Sequence, residues 1–291
     1  MAILSTDFKD ALPRKHGSFR VFARRNPTIV LGATLLILVV LAAILAPAIA
    51  GDPMVIAPAQ RLARPSPQHW FGTDALGRDV YARTIYGARI SLTVGISVAA
   101  LSIAFGLVIG LVAGYYRRLD GIIMRFMDGA MAIPSILLAI SLVAVTRGGV
   151  AVIVVAIVVP EVPRVVRLVR SVVLSTRELA FVEAAISSGS RDLKIICRHI
   201  LPSTIAPLIV QGTIIVAAAI LTESALSFLG IGVPPEIPTW GNMVSANRLY
   251  LARAPWTIFF PGAFLTVVVL AVNLLGDGLR DRLDPRLARR M

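Results

Sequence analysis

The stretch ISLTVGISVAALSIAFGLVIGLVAGY, Ile90 to Tyr115, runs for 26 residues without one charged side chain. Crossing the hydrocarbon core of a bilayer, about 30 Å thick, takes about 20 apolar residues in a helix. This run is therefore long enough to span a membrane in one pass. Five more such runs occur, at Ile29 to Ala50, Ile122 to Val145, Val150 to Val162, Ile205 to Leu229 and Thr257 to Gly276. The fourth is short before Glu161, and its reading as a span requires it to continue through Pro163 and the valine-rich stretch to Val173. The expectation is an all-α integral membrane protein with six transmembrane helices.

Composition agrees. The 291 residues are 57% hydrophobic and 15% charged, with a mean hydropathy of +0.82, which excludes an ordinary soluble domain. The first run ends in APAIA, Ala46 to Ala50, a small-residue pattern like a signal-peptide cleavage site. It is preceded by 28 residues, however, and its apolar core exceeds that of a signal peptide, so it reads as an uncleaved anchor. Cys197 is the lone cysteine, which excludes an intrachain disulfide and a cysteine metal cluster; it reads as small apolar filler.

Charge is scarce but lopsided, with 29 Lys and Arg against 16 Asp and Glu, a net charge of +13. The cations flank the apolar runs and form no basic domain interleaved with aromatics, so nucleic acid is not the partner. With six spans both termini share a side. Twenty cations then fall on that side: six from Lys9 to Arg25, Arg117 and Arg118, seven from Arg164 to Arg198, and five from Arg280 to Arg290. Eight fall on the other, namely Arg61, Arg64, Arg78, Arg83, Arg89, Arg147, Arg248 and Arg253. The excess of positive charge on the cytoplasmic side places both termini there.

Polar residues inside the runs are costly, at about 3 kcal/mol for an ionised group at the bilayer centre, and so mark candidate sites. In DGIIMRFMDGAMAIP, Asp120 to Pro134, Arg125 and Asp128 lie three residues apart on one helical face and read as a pair, either structural or a gating contact. Arg164, Arg167 and Arg170 recur every third residue as a basic stripe, close to Glu161. Pro134, Pro160, Pro163 and Pro207 each remove a backbone donor in or beside a span. Glu223, in LTESALSFLGIG, is expected either to line a solute path or to cap a packed bundle, and Asn273 to hydrogen-bond between helices.

One polar interval interrupts the apolar pattern, FVEAAISSGSRDLKIICRHILP, Phe181 to Pro202. Ser175 and Glu178 have capping-box spacing, which predicts a short helix from Thr176 to Ser188, stopped at Gly189 by a left-handed cap. A second short helix is expected from Ser190 or Asp192, with Leu193, Ile196 and Ile200 on one face, ended by Pro202. Such an interval can transmit force from a soluble partner, or lie as an ordered loop on the lipid surface with Phe181 and Ile186 among the headgroups. The residues alone leave both open. Lys9, Lys15 and Lys194 each lack a preceding glycine, so no phosphate-binding loop is present. His16, His69 and His199 are far apart, and neither a catalytic nor a metal-ligand constellation is apparent.

The interval resembles the EAA loop of permease subunits of bacterial ABC importers. In that loop E-A-A is followed after three residues by G and, nine residues later, by a residue preceding x-L-P. Glu183, Ala184, Ala185, Gly189, Leu201 and Pro202 match in register, with His199 as in the peptide-importer branch and Ser203 where asparagine often stands. HWFGTDALGRDVYARTIYGARISL, His69 to Leu92, is similar to the outer segment of the dipeptide and oligopeptide permease subunit called the C component, with Phe71 in place of leucine. NLLGDGLRDRLDPR, Asn273 to Arg286, is similar to that subunit's tail.

The resemblance implies the type I ABC importer permease fold in a bacterial cytoplasmic membrane. It implies a second, homologous permease subunit, two ATP-binding subunits carrying ATP and Mg, an extracytoplasmic solute-binding protein and a peptide-like solute. No cofactor is expected on this chain. Glu183, Ala184, Ala185, Gly189, His199, Leu201 and Pro202 are then the residues that couple to the ATPases. Gly72, Asp74, Gly77, Arg78 and Asp79 are implied to build a folded outer loop, mainly structural, near the binding-protein dock or the partner permease. The expected organisation is a cytoplasmic segment 1–28, a first helix 29–50, an outer loop 51–89, a permease core 90–276 with the EAA loop at about 175–202, and a cytoplasmic tail 277–291. The alternatives are the same importer type carrying nickel chelates or opine-like solutes, a secondary transporter driven by an ion gradient, and a membrane-anchored assembly protein.

Overall fold

A computed structural model describes residues 23–24, 26–145 and 149–283. Lys9, Arg14, Lys15, His16, Arg20, Arg25, Arg147, Arg286, Arg289 and Arg290 lie outside the described residues, as do most of segment 1–28 and the end of the tail 277–291. The described residues are helical apart from loops and one isolated bridge between Thr73 and Asp79.

Helix α1, Pro27–Ile44, begins with proline in its first turn, where the missing N–H is an orphan anyway. It stops short of the predicted Ala50 because Pro47 cannot continue it, and a separate turn, Ala46–Ile49, follows. Helix α2, Val80–Tyr115, starts ten residues before the predicted Ile90. Arg83 and Arg89 hide this start from a hydropathy reading, yet Asp79 caps it by accepting from the Ala82 N–H at 2.9 Å.

The predicted third span, Ile122 to Val145, is two helices, α3, Arg117–Ala132, and α4, Ser135–Val145, with an 84° bend between them. Pro134 explains the break: it pushes Ile133 out of the helical region, to φ −88° and ψ 126°, and supplies no N–H. Helix α5, Val150–Arg177, stays in one piece through Pro160 and Pro163 and confirms the extension past Val162. Then come α6, Ala180–Ser187, α7, Asp192–Phe228, α8, Trp240–Asn247, and α9, Trp256–Leu283.

Among the described residues α1, α2, α7 and α9 are long and apolar enough to cross a membrane, and α3 with α4 makes a fifth if the bent pair is one span. Helix α5 has the length, at 28 residues, but carries Glu161, Arg164, Arg167, Arg170 and Arg177. The outward surface is apolar: Leu31, Ile37, Leu38 and Leu41 on α1 all lie exposed, as a lipid-facing wall requires.

The tightest packing joins α2 to α5. Gly106, Gly110 and Gly114, one per turn, let Val165, Val169 and Val173 of α5 come so close that a Cβ on any of the glycines would overlap a valine side chain. Lipid tails are as apolar as valine, so burial from water does not hold these helices together; close van der Waals contact does. Gly278 of α9 touches Thr28 and Ile29 of α1, so the first and last described spans put Pro27 and Leu283 at the same end of the bundle. Tyr115 and α6 share that end; Phe228 and α8 lie at the other.

Candidate functional site

At the end that holds Pro27 and Leu283, α5 gives way to the EAA segment through a tight turn. Arg177 closes it by donating to the Gly114 carbonyl at 3.0 Å, and the Leu179 N–H donates to Thr176 O at 3.1 Å. The predicted capping box does not form. Ser175 is still inside α5, where its hydroxyl bonds back to Val172 O at 2.9 Å, and Leu179 stands at the cap of α6 without a side-chain bond. Burial of Val173 and Thr176 carries α5 past the position where spacing alone starts a new helix.

Helix α6 ends at Gly189, whose φ of +74° suits glycine. The Ser190 N–H donates to Ala185 O at 3.1 Å and the Gly189 N–H to Ile186 O at 2.9 Å, the two bonds of a Schellman motif. The second helix begins at Asp192, whose carboxylate accepts from the Tyr115 hydroxyl at 2.9 Å. Pro202 does not end it. One wide turn, Ile196–Ile200, shifts the bonding so that the Leu201 N–H reaches Ile196 O, and the proline enters the first turn of the next α-helical stretch. A wide turn re-registers the carbonyls that an inserted proline ring would otherwise strike.

The segment is thus pinned from behind and bare in front. Val182, Ile195 and Ile200 are buried in the main core, and the His199 ring, half-buried, lies 6.1 Å from that of Phe181. Glu183, Ala184, Gly189 and Pro202 are exposed, and Ala185 and Leu201 half-buried. Around them Phe181, Ile186 and Leu193 expose 48%, 52% and 73% of their surface, large apolar side chains that this chain leaves uncovered. Among the described residues no cation pairs with Glu183, so its carboxylate is free for one brought by another protein.

The intramembrane candidates come out differently. Arg125 is exposed and does not pair with Asp128; Asp128 accepts instead from Arg167 at 2.8 Å. Asp120, not singled out in the sequence, holds Arg170 through two bonds, one Nη2 to Oδ2 at 2.6 Å and one from Nε to Oδ1. Glu161 is buried and accepts from Arg164 at 2.7 Å within α5. Glu223 is fully buried in α7, taking the Ser227 hydroxyl at 2.8 Å on one carboxyl oxygen. Asn273 is exposed on α9.

At the opposite end, residues 51–79 fold over the N-terminus of α2. Asp74 is buried and takes the Leu76 and Arg78 N–H groups at 2.8 and 2.9 Å and Arg78 Nε at 2.7 Å. Gly72 and Gly77, at φ of +72° and +77°, provide the turns, and Asp79 also accepts His69 Nδ1 at 2.8 Å. Arg83, counted in the sequence only as an outer cation, and Trp240 and Trp256 complete this layer. Arg83 lies buried with its Nε 4.0 Å from Asp74 and donates to Pro53 O at 3.2 Å. The indoles of Trp240 and Trp256 donate to Thr84 O at 3.1 Å and Thr73 O at 3.3 Å. Tryptophans far along the chain, each with one N–H to satisfy, were the available signal.

Residues 106–289 match the family described as binding-protein-dependent transport system inner membrane component. The chain belongs to that family. This permease is 56% identical over 289 residues, 99% of both chains, to the probable peptide ABC transporter permease protein y4tQ of Sinorhizobium fredii. It is 44% identical over 266 residues, 91% of this chain and 88% of the relative, to the dipeptide transport system permease protein DppC of Alkalihalophilus pseudofirmus. With the oligopeptide permease OppC of Bacillus subtilis identity is 37% over 268 residues, 91% and 88% of the two chains. In fold it is similar to a chain of the MetNI methionine ABC transporter in inward-facing conformations, with a TM-score of 0.57 at 16% identity over 69% of this chain and 96% of that one. The permease is a transport subunit of an ABC importer and a multi-pass inner-membrane protein, as the resemblance in the sequence implied.

Proposed function

We propose that this permease carries peptides or closely related small solutes into the cell by alternating access, with its EAA segment seated on a partner ATPase. The observation that supports it most is the segment itself: anchored by Val182, Ile195, Ile200 and the Tyr115–Asp192 bond, it holds Glu183 and three apolar side chains outward on a stiff mount. A surface that must convey force needs stiffness behind it and complementarity in front. Peptide as substrate follows from the relatives, whose names specify peptides, dipeptides and oligopeptides.

In this reading the chain crosses the membrane six times, with α3 and α4 as one broken span and α5 as a charged one. The termini end is cytoplasmic. Segment 1–28 and tail 277–291 lie there with the EAA loop at 175–202, and the layer formed by 51–89 faces outward, its last residues already part of α2. Glu183, Ala184, Ala185, Gly189, His199, Leu201 and Pro202 serve the dock. ATP and Mg bind the two ATPase subunits, a homologous second permease completes the path, and an extracytoplasmic binding protein delivers the solute to the outer layer.

The test is reconstitution with the cognate ATPases, binding protein and second permease, using labelled di- and oligopeptides. Uptake should require ATP and a peptide. Glu183→Arg should insert normally yet bind the ATPases at least about thirtyfold more weakly, the size of an interface hot spot of about 2 kcal/mol. Uptake by this chain alone on a proton gradient, or normal uptake by the Glu183→Arg variant, overturns the reading.

A further inference from the structure

Helix α3 is an anomaly in the bundle. It buries none of its residues against the rest of the chain, and Leu119, Ile122 and Phe126 all lie exposed. Both of its ends are extended single residues, Tyr116 at φ −92° and ψ 98° and Ile133 at φ −88° and ψ 126°. A helix with extended linkers at both ends and no buried side chain is free to pivot unless something outside its core fixes it. Polar contacts do so here. Arg170 grips Asp120 with two bonds and Arg167 donates to Asp128 at 2.8 Å, both arginines reaching out from α5.

The order of the pairs is informative. Residue numbers rise along α5 as they fall along α3, so the helices run antiparallel and are tied at two points, eight residues apart on α3. The third arginine of the stripe, Arg164, takes its carboxylate from α5 itself. Helix α5 leads within three residues into α6, and its glycine-ladder packing on α2 makes it a rigid body.

We propose that Asp120–Arg170 and Asp128–Arg167 are positioning pairs that make α3 follow α5, so that displacement of the EAA segment is passed to the third span about the Ile133–Pro134 break. The proposal rests on the EAA segment being the ATPase dock. Bidentate arginine–carboxylate contact fixes direction as well as distance, which a transmitting link needs. Partial exposure, 29% and 23% for Arg170 and Asp120 and 51% and 61% for Arg167 and Asp128, keeps each bond exchangeable with water during a cycle.

The experiment uses the assembled importer in a Cys197→Ser background, with spin labels at Arg125→Cys on α3 and Ala144→Cys on α4. The label–label distance is compared in the nucleotide-free state and with a non-hydrolysed ATP analogue. The parent should show a nucleotide-dependent change. Arg170→Asp and Asp120→Arg should each abolish it and lower uptake roughly tenfold while ATPase association persists. The double variant Asp120→Arg with Arg170→Asp should restore both to within about twofold, since contacting residues couple. Asp128→Asn, a milder change, should reduce the amplitude without loss of assembly. A distance that is the same in both nucleotide states of the parent, or a change that persists in the single variants, overturns the link. Failure of the parent to bind its ATPases at all overturns the docking reading instead, so the two failures are distinguishable.

Discussion

Gly189 sits at φ +74° with open space around its α-carbon, so the only objection to a side chain there is conformational. An L-residue in that region costs about 1–2 kcal/mol. Gly189→Val should therefore leave insertion and the transmembrane core intact while loosening the Schellman turn between α6 and α7. The measurement is uptake normalised to the amount of protein in the membrane, expected to fall several-fold; an unchanged rate refutes a coupling role for the turn. Asp74 is the opposite case, a residue whose loss should be global. It is the carboxylate beside the buried Arg83, and removal of one partner of a buried charge pair costs about 3–5 kcal/mol. Asp74→Ala should lower the thermal midpoint of the detergent-solubilised permease by several degrees, and Arg83→Met combined with Asp74→Ala should recover part of the loss. That Gly72, Gly77, Asp74 and Asp79 belong to a folded loop was implied by the resemblance, and the turns and the helix cap that they form are local. The burial of Arg83 was not, because the two carbonyls that it donates to lie 30 and 152 residues away, at Pro53 and Pro235.

At the scale of elements, the contact between α2 and α5 decides how force passes from the EAA segment into the bundle. Gly110 faces Val169 with no space for a Cβ. Gly110→Leu should separate the two helices and, by overpacking a well-filled interface, cost at least about 1–3 kcal/mol. The check is the yield of monodisperse protein in detergent, expected to fall sharply, against a control at Gly121, which has open space around it and should accept alanine unchanged. The glycine spacing lay in plain view within the run Ile90 to Tyr115, but four-residue spacing of small residues names an interface only once the facing helix is known. Prolines show the same limit. Pro134 breaks its span, Pro160 and Pro163 leave α5 continuous, and Pro202 is absorbed by a wide turn. A proline's effect depends on whether packing on both sides holds the helix in line, which no local pattern reports. Apolar length, by contrast, was legible for α1, α2, α7 and α9, since the bilayer enforces it segment by segment, but not for the charged α5 or the bent pair α3 and α4.

For the whole molecule, the decisive quantity is orientation, and the chain carries its own reporter. Cys197 is the lone cysteine and lies exposed in the wide turn of the EAA segment, at the end that holds Pro27 and Leu283. If that end is cytoplasmic, as we propose from the excess of arginine and lysine, a membrane-impermeant maleimide should leave Cys197 untouched in intact cells and label it in inside-out vesicles. Trp70, 62% exposed on the opposite layer, provides the converse: Trp70→Cys in a Cys197→Ser background should label from outside. Labelling of Cys197 from the outside reverses the topology and removes the EAA segment from any contact with ATP. The same thiol also tests assembly. Its neighbours Leu193, Lys194 and Arg198 are all exposed, so a docked ATPase should cover it and slow its reaction with maleimide at least about tenfold, the loss of access that a buried interface core imposes. That protection should disappear in the Glu183→Arg variant, whose surface differs in one charge within the dock while its buried anchors Val182, Ile195 and Ile200 stay in place. Protection that survives this charge reversal would mean that the apolar side chains alone hold the partner, and that Glu183 serves the stroke and not the grip.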